Sequence, residues 1–131
     1  MKTIIALIAC SCVVGMANLS GAAQIASPTI FGSSTQTAAE CVVVNGGTTN
    51  LAVTVEILDK SGAVLRSSNC DGSLAPGQFC SAGGIINAVL ASCIATAVSV
   101  ANLRGALTIE EPVPDGSGGT YPSPIRSSPL R

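Results

Sequence analysis

Cysteine is the residue type in this chain best placed to do chemistry. Six are present: Cys10, Cys12, Cys41, Cys70, Cys80 and Cys93. The first two fall in an apolar leader, which leaves four for the folded protein. An even number of cysteines in a short exported chain reads as a disulfide framework. Zinc fits poorly: the successive gaps from Cys41 are 29, 10 and 13 residues, no C-x-x-C knuckle occurs, and there is no His to complete a mixed site. Four cysteines allow three connectivities. The preferred one joins Cys70 to Cys80 across a tight corner and Cys41 to Cys93, from the first strand to a late one. In the chain-entropy view the short loop contributes about 3 kcal/mol and the long one about 4 kcal/mol.

Other reactive sets are thin. Nucleophilic or acid–base catalysis most often employs His, and the chain has none. The acids are Glu40, Glu56, Asp59, Asp71, Glu110, Glu111 and Asp115. Asp59 and Asp71 stand in turn sequences and Glu56 on a solvent face, so turn-forming and solubility are their expected roles. A two-carboxylate hydrolase needs a facing pair in a cleft. Asp115-Gly116-Ser117-Gly118-Gly119 offers one carboxylate, too few hard ligands for calcium. The Gly-rich pieces precede neither a helix nor a Lys, so they are not phosphate cradles. The expectation is a protein that is not an enzyme and carries no cofactor or metal. Thr54, Glu56 and Arg104 are candidates for a polar sheet face open to a partner.

Charge narrows the partners. The net charge is −1, and removing Lys2 leaves five basic against seven acidic residues, or −2. Lys60, Arg66, Arg104, Arg126 and Arg131 are scattered, without an aromatic-interleaved basic patch. Nucleic acid and acidic membrane surfaces are therefore not expected partners.

The beginning of the chain supplies the compartment. Met1-Lys2 is a short positive region, residues 3–16 are apolar, and residues 17–23 are small and polar. This is the layout of a secretory signal peptide. The apolar run is shorter than the ~20 residues of a membrane-spanning helix. Cleavage after Ala17, Ala22 or Ala23 satisfies the small-residue requirement, with Ala22 or Ala23 preferred and residues 1–22 assigned to the signal. Leu7-Ile8-Ala9-Cys10 offers a competing reading, a lipobox with Cys10 as the lipid-bearing residue. Secreted or periplasmic residence follows.

The elements that must position the cysteines read as strands. Leu51, Val53, Val55 and Ile57 alternate with Ala52, Thr54, Glu56 and Leu58, the period of a strand with one face in a core. Residues 41–45 form a Val-rich run, and Gly46-Gly47 ends it, so the two runs are expected to make a hairpin. Asp59-Lys60-Ser61-Gly62 is a turn leading to a strand at 63–67. Leu74-Ala75-Pro76-Gly77 is a corner between sheets. A short strand at 78–82 follows, stopped by Gly83-Gly84. Residues 85–101 carry both helical spacing and β-branched alternation; the all-strand context favours a strand at 90–98, with a helix as the alternative. Leu103, Gly105, Leu107 and Ile109 alternate in a last half-buried strand. Residues 23–39 read as a flexible lead-in with at most one loose strand near 29–31. Residues 111–131, rich in Pro, Ser and Gly, read as a disordered tail.

The expected architecture is thus all-β: a small two-layer sandwich of about six or seven strands over residues 40–110. A unit this small is marginal on its core alone, so disulfides fit the need.

The ordered set Cys41-x-x-x-Asn45, V-T-V-E-I-L-D, Gly62, Cys70, Leu74-Ala75-Pro76-Gly77, Cys80, Cys93 and Asn102-Leu103-Arg104-Gly105-Ala106-Leu107 resembles that of small, uncharacterised exported bacterial proteins. These look like immunoglobulin-like or fibronectin-III-like sandwiches. The resemblance spans residues 40–109, and departs where Ala91-Ser92 replace an aromatic before Cys93. It implies an immunoglobulin-like sandwich and export, and transfers no activity. The functional expectation is an exported non-catalytic module, binding or structural, with a surface or extracellular protein as partner. The alternatives are a lipoprotein anchored through Cys10 and an inhibitor of an extracellular enzyme presenting the loop at 69–78.

Overall fold

A computed structural model describes residues 21–31, 38–70, 72–87, 90–114 and 116–131. Its strands are β1 (Ala23–Ala26), β2 (Ile30–Phe31), β3 (Ala38–Asn45), β4 (Val53–Leu58), β5 (Val64–Asn69), β6 (Phe79–Ile85), β7 (Leu90–Ala97), β8 (Leu103–Pro114) and β9 (Thr120–Pro129). They form two antiparallel sheets. One runs β1-β7-β4-β5, with β2 also on β7; the other runs β6-β3-β8-β9. The chain is all-β, and no helix occurs among the described residues.

Alternation builds the core. Val53, Val55 and Ile57 of β4 and Ala91, Cys93, Ala95 and Ala97 of β7 turn inward from one sheet. Ala39, Cys41 and Val43 of β3, with Leu103, Leu107 and Ile109 of β8, turn inward from the other. The largest fully buried side chains are Ile57, Leu107 and Ile109, and both phenylalanines lie outside: Phe31 is 60% exposed and Phe79 is 70% exposed. A disulfide crosses the centre of the sandwich and holds the Cα atoms of Cys41 and Cys93 at 6.1 Å. Small residues flank each cysteine along its own strand (Ala39 and Val43, Ala91 and Ala95), while the larger Leu107 and Ile57 sit beside them on the neighbouring strands.

Several expectations change. β3 and β4 are not a hairpin: they lie in opposite sheets, and the segment after Asn45 arches between them. Gly83 and Gly84 continue β6 rather than stopping it. The third strand begins at Val64 and runs on to Asn69. The 85–101 ambiguity resolves as β7 over its described residues. The lead-in is not free: β1 and β2 both pair with β7, although residues 32–37 lie outside the described set. The tail is not free either, because β8 continues to Pro114 and β9 pairs with it along its length. Thr54 and Glu56 share no face with Arg104, since β4 and β8 belong to different sheets. The anticipated alternations of β4 and β8, and the corner at Leu74-Ala75-Pro76-Gly77, are found where expected. Gly77 has φ +77° there, a conformation that favours glycine.

Links between the two sheets lie at the centre and on both sides. Cys41–Cys93 is central. Cys70–Cys80 joins the β5 end to β6 on one side. On the other side Ala26 and Arg131 exchange backbone hydrogen bonds of 3.1 and 3.0 Å. Ser27, buried between β1 and β2, donates its N–H to the Cys93 carbonyl at 2.8 Å and accepts the Cys93 N–H on Oγ at 2.9 Å.

Candidate functional site

Asn45 organises the corner beside β5 and β6. It ends β3 and is fully buried, a position that requires every polar group to be matched. Its Nδ2 donates to the carbonyls of Thr49 and Leu74, each at 2.8 Å, and its Oδ1 accepts from the Gly47 N–H at 2.9 Å. Its backbone N–H donates to the Gln78 carbonyl, and its carbonyl accepts from the Gly77 N–H at 2.7 Å. One amide thus fastens the arch after β3 to the corner before β6. Leu74, 4% exposed, completes the tie through paired backbone bonds with Leu51.

That corner shapes a groove of about 360 Å³ between the neighbouring ends of β5 and β6. Ser68, Asn69, Ser73, Gln78 and Ser81 bring hydroxyls and amides to it, Leu74 and Phe79 bring apolar surface, and Cys70–Cys80 forms part of its wall. Cys80 is 6% exposed and Cys70 is half-buried, whereas Cys41 and Cys93 are completely enclosed. Further along the same side, the Arg66 guanidinium donates to the Leu65 carbonyl at 2.7 Å and to the Ile85 carbonyl across the gap between sheets. This groove can hold a polar or backbone-like group by hydrogen bonds, with Phe79 offering an exposed ring at its rim.

The four candidate cysteines pair as expected, Cys41 with Cys93 and Cys70 with Cys80. Among the described residues the acids form no cluster of three. Asp59 is committed to the β4–β5 turn: its Oδ1 accepts from the Ser61 hydroxyl at 2.6 Å, the Ala63 N–H at 3.0 Å and the Ser61 N–H at 2.7 Å. These bonds, the Ser61 hydroxyl first, hold its carboxyl below the ordinary carboxylate value. Glu56 lies on β4 in one sheet, Glu40, Glu110 and Glu111 on β3 and β8 in the other. Asp71, Asp115, Cys10 and Ala17 lie outside the described residues; Ala23 is the first residue of β1. Among the described residues no three His, Cys, Asp or Glu side chains cluster to hold a metal, and no helix is long and apolar enough to cross a membrane.

Sequence reasoning missed Asn45 as a hub, Ser27 as a clasp, and Phe79. Phe79 was accessible to it: once Cys80 turns inward to its bridge, alternation turns Phe79 outward. Ser27 gives no local signal, because its partner is 66 residues away; Asn45 bonds locally to Gly47 and Thr49, but its tie to Leu74 spans 29 residues. No family model, curated protein or solved structure matches the chain.

Proposed function

We propose that the protein is an exported, non-catalytic β-sandwich module that works by binding, and that the β5–β6 side is its binding side. The observation that carries this is the groove itself. A disulfide and a saturated buried amide fix its walls, yet its lining presents hydroxyls, amides and an exposed aromatic ring. Such a pairing of a fixed scaffold with accessible polar and aromatic groups suits recognition. Two disulfides suit an oxidising compartment, periplasmic or extracellular.

The immunoglobulin-like reading of the sandwich is part of the same proposal. In that fold a disulfide joins central strands of the two sheets, as Cys41–Cys93 joins β3 to β7. Taking β3 and β7 as those strands, β6 and β4 fall beside them as the fold requires. The outer neighbours are exchanged, with β8 beside β3 and β1 beside β7. We read this as a permuted arrangement, with the first strand of the chain occupying the place of the last.

A photo-crosslinking amino acid placed at Phe79 in the full chain, expressed in its own host, tests the binding reading. Adducts outside the cytoplasm are expected from position 79 and not from Thr96 on the other sheet. No adduct at position 79, or equal adducts at both positions, would count against it.

A further inference from the structure

Three of the four lateral edges of this sandwich are closed to further strands, and one is not. The β9 edge is closed by proline. Pro112 faces Pro122 in the β8–β9 ladder. Two prolines can exchange no hydrogen bond, so theirs is a non-bonded pair, and Pro122 turns its missing N–H to the free side of β9 while Pro112 turns away from β9. The same parity turns Pro124 to the free side of β9. Leu130 donates to the Gly105 carbonyl at 2.9 Å, which turns the neighbouring Pro129 outward as well. The β1 edge is short, breaks at Ser27-Pro28, and has its outward Ala26 groups taken by Arg131. The β5 edge carries Arg66, whose guanidinium occupies the outward Leu65 carbonyl.

Between Phe79 and Gly83, β6 has none of these devices; Arg66 reaches it only at its end, on the Ile85 carbonyl. Its sequence, F-C-S-A-G-G-I, contains no charge and no proline. Asn45 donates to the Gln78 carbonyl, so Gln78, Cys80, Ala82 and Gly84 direct their backbone groups to β3. Phe79, Ser81 and Gly83 then direct theirs away from the sheet, and among the described residues these groups have no hydrogen-bond partner. An uncharged edge left open from Phe79 to Gly83 is a template for another strand.

We propose that the occupant is β6 of a second copy, paired antiparallel about a two-fold axis at Ser81. This deepens the binding reading above and rests on it for the choice of side. The pattern of β6 is self-complementary in that register. Ser81 meets Ser81 of the second copy, and Phe79 meets Gly83, each pair exchanging both backbone bonds. The 70%-exposed Phe79 ring would then lie over a residue with no side chain, and so lose water contact without a clash. The pairing joins the two β6-β3-β8-β9 sheets into one continuous sheet.

Sedimentation equilibrium on the processed, oxidised protein tests this. Wild type is expected to show twice the chain mass at high concentration and to dissociate on dilution. Ser81→Pro removes a donor that points away from the fold, and Ser81→Lys adds an edge charge; both are expected to abolish the dimer. Ser127→Lys, on the proline-lined edge of the same sheet, is expected to keep it. Circular dichroism checks that each variant is folded, and Ser81→Lys decides the matter should Ser81→Pro not fold. A wild type that stays monomeric, or a dimer indifferent to Ser81→Lys, would overturn the proposal. A monomer that still crosslinks another protein from position 79 would overturn the self-pairing and leave the binding reading standing.

Discussion

The two disulfides do different work. Cys41–Cys93 closes a sequence separation of 52 residues, sits at zero exposure, and crosses the centre of the sandwich. Cys70–Cys80 closes a separation of 10, lies at one side, and lines an open groove. The first ties the two sheets together within the core. The second latches the end of β5 to β6 where the sheets would otherwise part. Enclosure and access are thereby separated in space: the centre is buried, and the side is polar and accessible.

Breaking each bridge in turn tests that division. Replacing both Cys41 and Cys93 by Ala is expected to have the largest effect, about 4 kcal/mol from loop entropy alone, with further loss from the packing around the two buried sulfurs. Little folded protein should remain by circular dichroism at physiological temperature. Replacing Cys70 and Cys80 by Ala is expected to cost about 3 kcal/mol. The sandwich should survive, with amide exchange rising around Leu74 and Phe79 rather than in β4 and β7.

Asn45→Ala sharpens the comparison. It takes the Asn45 partner from the Gly47 N–H and the Thr49 carbonyl and leaves the Leu74 carbonyl with the Leu51 N–H alone, and a loss of about 2 kcal/mol is expected in urea unfolding. Because Asn45 and Cys70–Cys80 hold the same corner, their losses should combine non-additively in a double-mutant cycle.

Asp59 supplies the smallest effect and a control remote from both bridges. Its folded pKa is lowered, so its contribution is present above the unfolded carboxylate pKa of about 3.9 and is lost as pH falls through the lower folded value. Asp59→Ala should remove that part of the acid sensitivity and leave the order of disulfide reduction unchanged.

Much of the centre was legible in the sequence, because strand alternation is a local signal. Val53, Val55 and Ile57 announce β4, and Leu103, Leu107 and Ile109 announce β8. The side was less legible. The residues after Asn45 resemble a hairpin turn by composition, but its amide finds the Leu74 carbonyl 29 residues away and the chain arches instead. The proline-rich end misleads for a related reason. Composition suggests disorder, yet Pro112 and Pro114, and Pro122 and Pro124, are spaced by two. That spacing puts each missing donor on the side of its strand turned away from the β8–β9 ladder, where none is needed. Spacing, rather than content, was the informative quantity.

Limited reduction of the native protein tests the separation of centre and side most directly. Under mild thiol at neutral pH, alkylation followed by mass mapping is expected to label Cys70 and Cys80 while Cys41 and Cys93 stay joined and the β signal in circular dichroism persists. Labelling of Cys41 and Cys93 first, or of all four together with loss of that signal, would contradict it.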